Sequence, residues 1–97
     1  MIVRIATEGQ FELDREHYDA VNGLDNECVA AVEAGDETKF MELFTRMLDF
    51  VRAEGRELAD DELAESDVVL PPADTSFAEA SQDFTGEGLI PESVVER

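Results

Sequence analysis

The single histidine, His17, and the single cysteine, Cys28, are the two residues considered first for the roles of nucleophile, general base or metal ligand. A catalytic or zinc site needs several such groups that converge in space, and the sequence has no second histidine or cysteine. His17 does have two acidic neighbours, Asp14 and Glu16. Because it falls near the apolar side of a predicted helix, we interpret His17 as a structural residue. A small acidic enzyme or ligand-binding domain with a site around His17 is the alternative.

Cys28 lies at the centre of the apolar face of the same predicted helix. A thiol in that position usually packs as a small hydrophobic group, and no basic residue is adjacent in sequence to stabilise a thiolate. We therefore assign Cys28 to packing. A single cysteine also excludes an intramolecular disulfide and is typical of a reducing compartment.

The acidic and glycine-rich segments do not complete a site either. The acids at residues 60–62, with Glu65 and Asp67, lack the glycine and the alternating spacing of an EF-hand loop. Residues 86–88 (GEG) lack the third glycine and the Lys-Ser/Thr pair of phosphate-binding loops. The sequence therefore predicts no catalytic, cofactor-binding or metal-binding residue, no cofactor and no enzymatic activity.

The charge balance limits the partners that the protein can have. The 97 residues include 25 Asp and Glu against 7 Lys and Arg, a formal net charge of -18. Nucleic acids and anionic lipid surfaces are bound through Lys and Arg, so neither is expected as a direct partner. Such a surface is typical of proteins from a salt-rich cytoplasm, where ions screen the repulsion between carboxylates. An acidic protein from a low-salt cell is the alternative.

Length and hydrophobicity predict one folded domain. A chain of 97 residues is too short to divide its apolar side chains between two cores, and a hydrophobic content of 43% is ordinary for a folded protein. The apolar start of the chain is too short for a signal peptide, and no segment reaches the roughly 18 apolar residues that cross a bilayer. We expect a cytoplasmic protein with no direct membrane insertion.

Alternating apolar residues predict a β-hairpin at the start of the chain. Met1, Val3 and Ile5 share one face, and Phe11 and Leu13 alternate again after a glycine-containing segment. Two strands alone are marginal in water. The hairpin is therefore expected to lay one face on the helices that follow.

Two amphipathic helices are predicted over residues 15–34 and 37–53. The first has apolar residues at spacings of three and four, with Asp14 as its N-cap. Gly23 weakens its middle, since glycine costs about 1 kcal/mol relative to alanine, so a break at Asn22-Gly23 is the alternative to one continuous helix. Gly35-Asp36 predicts a tight junction. The wider apolar stripe of the second helix predicts contact with the first helix on one side and the hairpin on the other.

The last third of the chain predicts two shorter elements. Residues 68–70 (VVL) are suited to a buried extended segment, which the prolines at residues 71–72 end. Ser76 begins a capping-box pattern, so a third helix is expected to run to about Phe84. Four apolar residues here either complete the core or form a patch on which a partner docks. They are Phe77, Phe84, Leu89 and Ile90.

These elements together predict an α+β fold. An N-terminal β-hairpin packs on an antiparallel helical pair, and a short extended segment and a short C-terminal helix follow. We expect a single domain over residues 1–91 and a polar C-terminal tail over residues 92–97.

The order of these segments resembles the PspA-associated family called PspAA. The resemblance rests on MIVRI at residues 1–5, EGQF at 8–11, EAGD at 33–36, DDELAESDVVLPPAD at 60–74 and GEGLIP at 86–91. It implies a small non-enzymatic accessory protein that occurs with PspA, the coiled-coil, membrane-remodelling protein of the phage-shock envelope-stress response, and we expect a PspA-like coiled-coil protein as its partner. The acidity adds the expectation of a halophilic archaeal type. The resemblance brings no catalytic residue, in agreement with the residues considered above.

Overall fold

A four-stranded sheet with two helices packed on one face forms the body of the protein. The computed structural model describes residues 1–59 and 65–84. The strands are β1 (Ile2–Ile5), β2 (Gly9–Glu12), β3 (Arg56–Glu57) and β4 (Val68–Leu70), and the helices are α1 (Tyr18–Ala34), α2 (Glu37–Glu54) and α3 (Phe77–Asp83). The predicted α+β fold, with its hairpin, helical pair and short last helix, is confirmed.

The sheet is ordered β3-β2-β1-β4. β1 and β2 form the predicted antiparallel hairpin, in which Val3 lies opposite Phe11. On its other side β1 pairs in parallel with β4, where Val3 lies opposite Val68. The buried residues Val3 and Ile5 alternate with the exposed Arg4, as expected for a sheet with one face on the core. The predicted extended segment is therefore a sheet strand, whereas β3 was not predicted.

The turn between β1 and β2 contacts α2 through an ion pair. Glu8 in this turn accepts two hydrogen bonds from Arg52, from Nε at 2.7 Å and from Nη2. Arg52 also donates to Asp49 at 3.0 Å. The hydrogen bond from Arg52 lowers the pKa of Glu8. Thr7, the residue before it, has a φ of 72°, which is unusual for a β-branched residue.

Helix α1 begins later than predicted and continues without a break. Residues Arg15–His17 form a 3₁₀ helix, and the side chain of Asp14 makes no capping hydrogen bond. Helical structure therefore begins at the predicted residue 15 with Asp14 at the N-cap position, but the α-helix itself begins three residues later, because the first turn is wound more tightly. Gly23 lies within the continuous helix. Gly35 ends α1 with a left-handed φ of 69°, a conformation that glycine adopts without steric cost.

Helix α2 has the boundaries that its cap residues predict. The side chain of Asp36 accepts a hydrogen bond from the Lys39 backbone at 3.1 Å, as an N-cap does. Gly55 ends the helix, where a Cβ atom would lie 2.6 Å from the Val51 carbonyl oxygen and 3.0 Å from the Phe11 Cβ. The absence of a side chain at this position lets the end of α2 approach β2.

The core lies between the sheet and the helical pair. α1 and α2 are antiparallel, because His17 at the start of α1 lies 3.6 Å from Glu54 at the end of α2. Both sides of the core bury aliphatic or aromatic side chains almost completely. The sheet side includes Val3, Ile5, Phe11, Val68 and Leu70, and the helical side includes Val21, Cys28, Phe40, Phe44, Met47 and Val51.

Candidate functional site

His17 is held between the two long helices by packing and charge. Its Nε2 atom lies 3.7 Å from the Glu16 carboxylate and 3.6 Å from that of Glu54. Its ring packs edge-on against Phe50, with centroids 5.6 Å apart. The ligand atoms of Asp14, Glu16 and His17 lie within 4.8 Å of one another, and both carboxylates are exposed. The described contacts of His17 join the start of α1 to the end of α2.

Cys28 is fully buried in the core. Burial raises the pKa of its thiol to about 12, and the negative charges of Asp25 and Glu27 add to this effect. The low-dielectric surroundings disfavour the thiolate, so the nucleophilic form is scarce at neutral pH. This environment is that of a packing residue.

We expect Cys28 to resist alkylation in the folded protein. With a pKa of about 12, roughly one thiol in ten thousand is ionised at pH 8, in addition to the barrier that burial imposes. Mass spectrometry after iodoacetamide treatment should show little labelling in buffer and rapid labelling in urea. Because folding raises this pKa from 9.0, the thiol should also lower the stability as the pH rises from about 9 towards 12. Equal labelling rates in buffer and in urea would contradict the assignment to packing.

Asp25 is a buried carboxyl group that the sequence analysis did not identify. It is 0% exposed on the apolar face of α1, one turn before Cys28. Its charge also raises the pKa of Tyr18, after the larger effect of burial. The Tyr18 hydroxyl is buried and has no hydrogen-bond partner within the described ranges. Its spacing in the sequence could have identified Asp25 as buried. It lies four residues after Val21 and three before Cys28, which places it on the same face of the helix.

The residues predicted for docking occupy different environments. Phe84 is fully buried, with its ring centroid 5.2 Å from that of Phe40. Phe77 is half-buried and lies edge-on to the same ring at 5.5 Å. In this structure Phe84 thus completes the core. Leu89 and Ile90 lie outside the described residues, and docking through this region stays a prediction.

The acidic segment before β4 contributes a structural contact. Asp67 accepts a hydrogen bond from the Ile2 backbone at 2.9 Å through Oδ2, and its own N–H donates to the Ile2 carbonyl at 2.8 Å. Both bonds align the start of β4 with β1. Residues 60–62 and 86–88 lie outside the described ranges. Within residues 1–59 and 65–84, no helix is both long and apolar enough to cross a membrane.

A shallow groove on the solvent side of the helical pair is the candidate interaction site. It has a volume of about 300 Å³. The last two turns of α1 form one wall, with Glu27, Ala30 and Ala34, and the first turns of α2 form the other, with Lys39 and Leu43. Small side chains on the α1 wall leave its backbone close to the surface. A groove of this shape can accept side chains of a partner.

The fold and these sites define a small α+β domain in which the described contacts of His17 and Cys28 are packing and ion-pair contacts. Its helical pair presents a groove lined by alanines of α1 and by charged and apolar side chains of both helices. The chain belongs to the PspAA family of PspA-associated proteins, whose model matches residues 1–92. The resemblance found in the sequence is therefore confirmed for the family. Comparisons with curated proteins and with solved structures gave no match.

Proposed function

We propose that this protein is a non-enzymatic accessory protein that binds PspA in the envelope-stress response. The observation that carries the proposal is the family match over residues 1–92, since the family is described as PspA-associated. The partner is then a PspA-like coiled-coil protein. The proposal includes a cytoplasmic location and a halophilic archaeal type, which the strongly acidic composition supports.

The environments of the reactive side chains support a binding role over catalysis. Burial keeps the Cys28 thiol protonated, and the His17 ring packs on Phe50. Membership of the PspAA family identifies no candidate catalytic residue beyond these two side chains. A function in binding requires only a complementary surface, which the exposed side of the helical pair offers.

The alternative, a small enzyme or ligand-binding domain around His17, has less support. Asp14, Glu16 and Glu54 surround the imidazole, yet all three are exposed. A general base or metal ligand is usually placed in a water-excluding pocket with neighbours that are themselves held in position.

Direct binding to the PspA of the same genome tests the proposal. The purified chain and purified PspA should elute together in size-exclusion chromatography and give a saturable calorimetric titration. Both should be measured from 0.1 to 3 M KCl, because salt screens the repulsion between carboxylates that opposes folding of an acidic protein. His17→Ala should bind as the unaltered chain does, whereas loss of binding with the fold intact would favour a site around His17. Absence of binding at every salt concentration would refute the proposal.

A further inference from the structure

The solvent-facing side of α1 has little side-chain bulk. Five exposed residues at spacings of three and four form one strip, which we call the outer stripe. They are Ala20, Gly23, Glu27, Ala30 and Ala34. Four of the five have at most a methyl side chain. Another helix could therefore approach α1 closely along this strip.

Gly23 is the residue of the outer stripe that internal packing explains least. A Cβ atom added here would have no heavy atom within 4 Å, beyond the local backbone of its own helix, so alanine would fit without a clash. Glycine in a helix interior is destabilising relative to alanine. Close approach of another backbone is a recognised reason for glycine at such a position. Gly23 is therefore the position of the outer stripe where another backbone could approach α1 most closely.

The outer stripe borders the groove of about 300 Å³ between α1 and α2. Glu27, Ala30 and Ala34 belong to both features, and Leu43 adds an apolar side chain from α2. Seven residues separate Glu27 from Ala34, about 10 Å along a helix axis. That length accommodates two turns of a partner helix, with apolar side chains three or four positions apart inserted into the groove.

The charge of α1 indicates what should flank those apolar side chains. α1 has three exposed acids, Asp19, Glu27 and Glu33, and no Lys or Arg. Its last turn has no basic residue, although the negative end of the helix dipole favours one there, and it contains Glu33 instead. A cation from a partner would satisfy both the dipole and the acids. A second copy of this chain would bring the same acids and be repelled.

We propose that the outer stripe and its groove bind an α-helix of the partner whose apolar stripe is flanked by Lys or Arg. The inference rests on the proposed function and specifies the surface used. The small residues admit the helix, and the groove takes its apolar side chains. Glu27, with the α1 C-terminus, pairs with its cations.

Two substitutions test this surface with the PspA of the same genome as the probe. Gly23→Ala should raise the thermal midpoint by about 4 °C, because the helix becomes more stable, yet weaken binding at least 5-fold. Ala30→Leu should weaken it at least 10-fold by filling the groove. Thr45→Leu, at an exposed position of α2 outside the groove, is the matched control and should bind as the unaltered chain does.

The outcomes separate this inference from the proposed function. Binding by the unaltered chain, with equal affinity in Gly23→Ala and Ala30→Leu, would overturn the surface and leave the proposed function in place. No binding by the unaltered chain would overturn both. Analytical ultracentrifugation of the chain alone tests a third outcome. If the chain forms a dimer that Ala30→Leu disrupts, the outer stripe binds a second copy of the chain. That result would overturn the proposal that the stripe binds a helix flanked by Lys or Arg.

Discussion

Replacement of Phe44 by alanine should lower the free energy of unfolding by about 3 to 5 kcal/mol. The ring is 1% exposed and lies at the centre of the core side of α2. It is stacked on Phe40 with centroids 5.7 Å apart and contacts the edge of Phe84 at 5.8 Å. Truncation removes both contacts and leaves a cavity beneath α3. The total free energy of unfolding of a small domain is roughly 5 to 15 kcal/mol, so the variant should be close to unfolding at 37 °C.

Thermal and urea unfolding followed by circular dichroism measure this loss. Phe77→Ala is the matched control, because its ring belongs to the same aromatic cluster but is only half-buried. Phe77→Ala should lower the free energy of unfolding by about 1 to 2 kcal/mol. Equal losses in the two variants would show that Phe44 has no special place in the core. A midpoint that hardly moves in Phe44→Ala would mean that this face of α2 is not packed as described.

Raising KCl from 0.01 to 1 M should raise the thermal midpoint by at least about 10 °C. For a chain of this length, that shift corresponds to a gain of roughly 2 kcal/mol in the free energy of unfolding. The 97 residues have a formal net charge of -18, and the radius of gyration is 12.8 Å. At 0.01 M salt the Debye length of about 30 Å exceeds that radius, so carboxylates across the whole surface repel one another. At 1 M it is about 3 Å, and only adjacent charges still interact.

The described ion pairs relieve only part of this repulsion. Arg52 pairs with Glu8 and Asp49, and Arg56 with Glu12. Glu33→Lys is an informative variant, because it removes an acid and adds the cation that the α1 C-terminus lacks. It should be more stable than the unaltered chain at low salt and gain less from added KCl. A thermal midpoint independent of salt would contradict both this account and the halophilic type.

The salt dependence of the affinity for PspA should show whether apolar contacts or ion pairs dominate the binding. If apolar contacts in the groove dominate and PspA is also acidic, affinity should rise with KCl, because screening removes repulsion between the two proteins. Contacts between Glu27 and a basic side chain act in the opposite direction. Comparing Glu27→Gln with the unaltered chain across the same salt range isolates that contribution.

The two long helices could be predicted closely because local signals determine their ends. Asp36 and Gly55 mark the limits of α2, and the observed helix differs from the prediction by one residue. Gly35 likewise marks the end of α1. Asp14 stands at the N-cap position of the first helical segment, as predicted, but its residue type did not indicate that its side chain makes no capping hydrogen bond or that the first turn is a 3₁₀ helix. Residue type therefore predicts where a helix begins better than it predicts the geometry of the first turn.

The sheet partners and the candidate surface could not be predicted in the same way. Arg56 and Glu57 form β3 through backbone pairing with β2, for which two exposed polar residues give no pattern. Val68 pairs with Val3 although 65 positions separate them, and no local propensity encodes that choice. Gly23 was recognised only as a weak point of a helix. The role in binding proposed for it depends on the open space around it, which only the structure shows.

The position of β1 between β2 and β4 has a consequence for the order of events during synthesis. Among the described strands β1 leaves the ribosome before β2 and β4, and β2 can pair with it at once through a short turn. The other edge of β1 stays unpaired until residues 68–70 emerge, after both long helices have been made. Parallel pairing over such a sequence separation forms slowly. The nascent hairpin therefore spends that interval with one edge of β1 open to other extended chains.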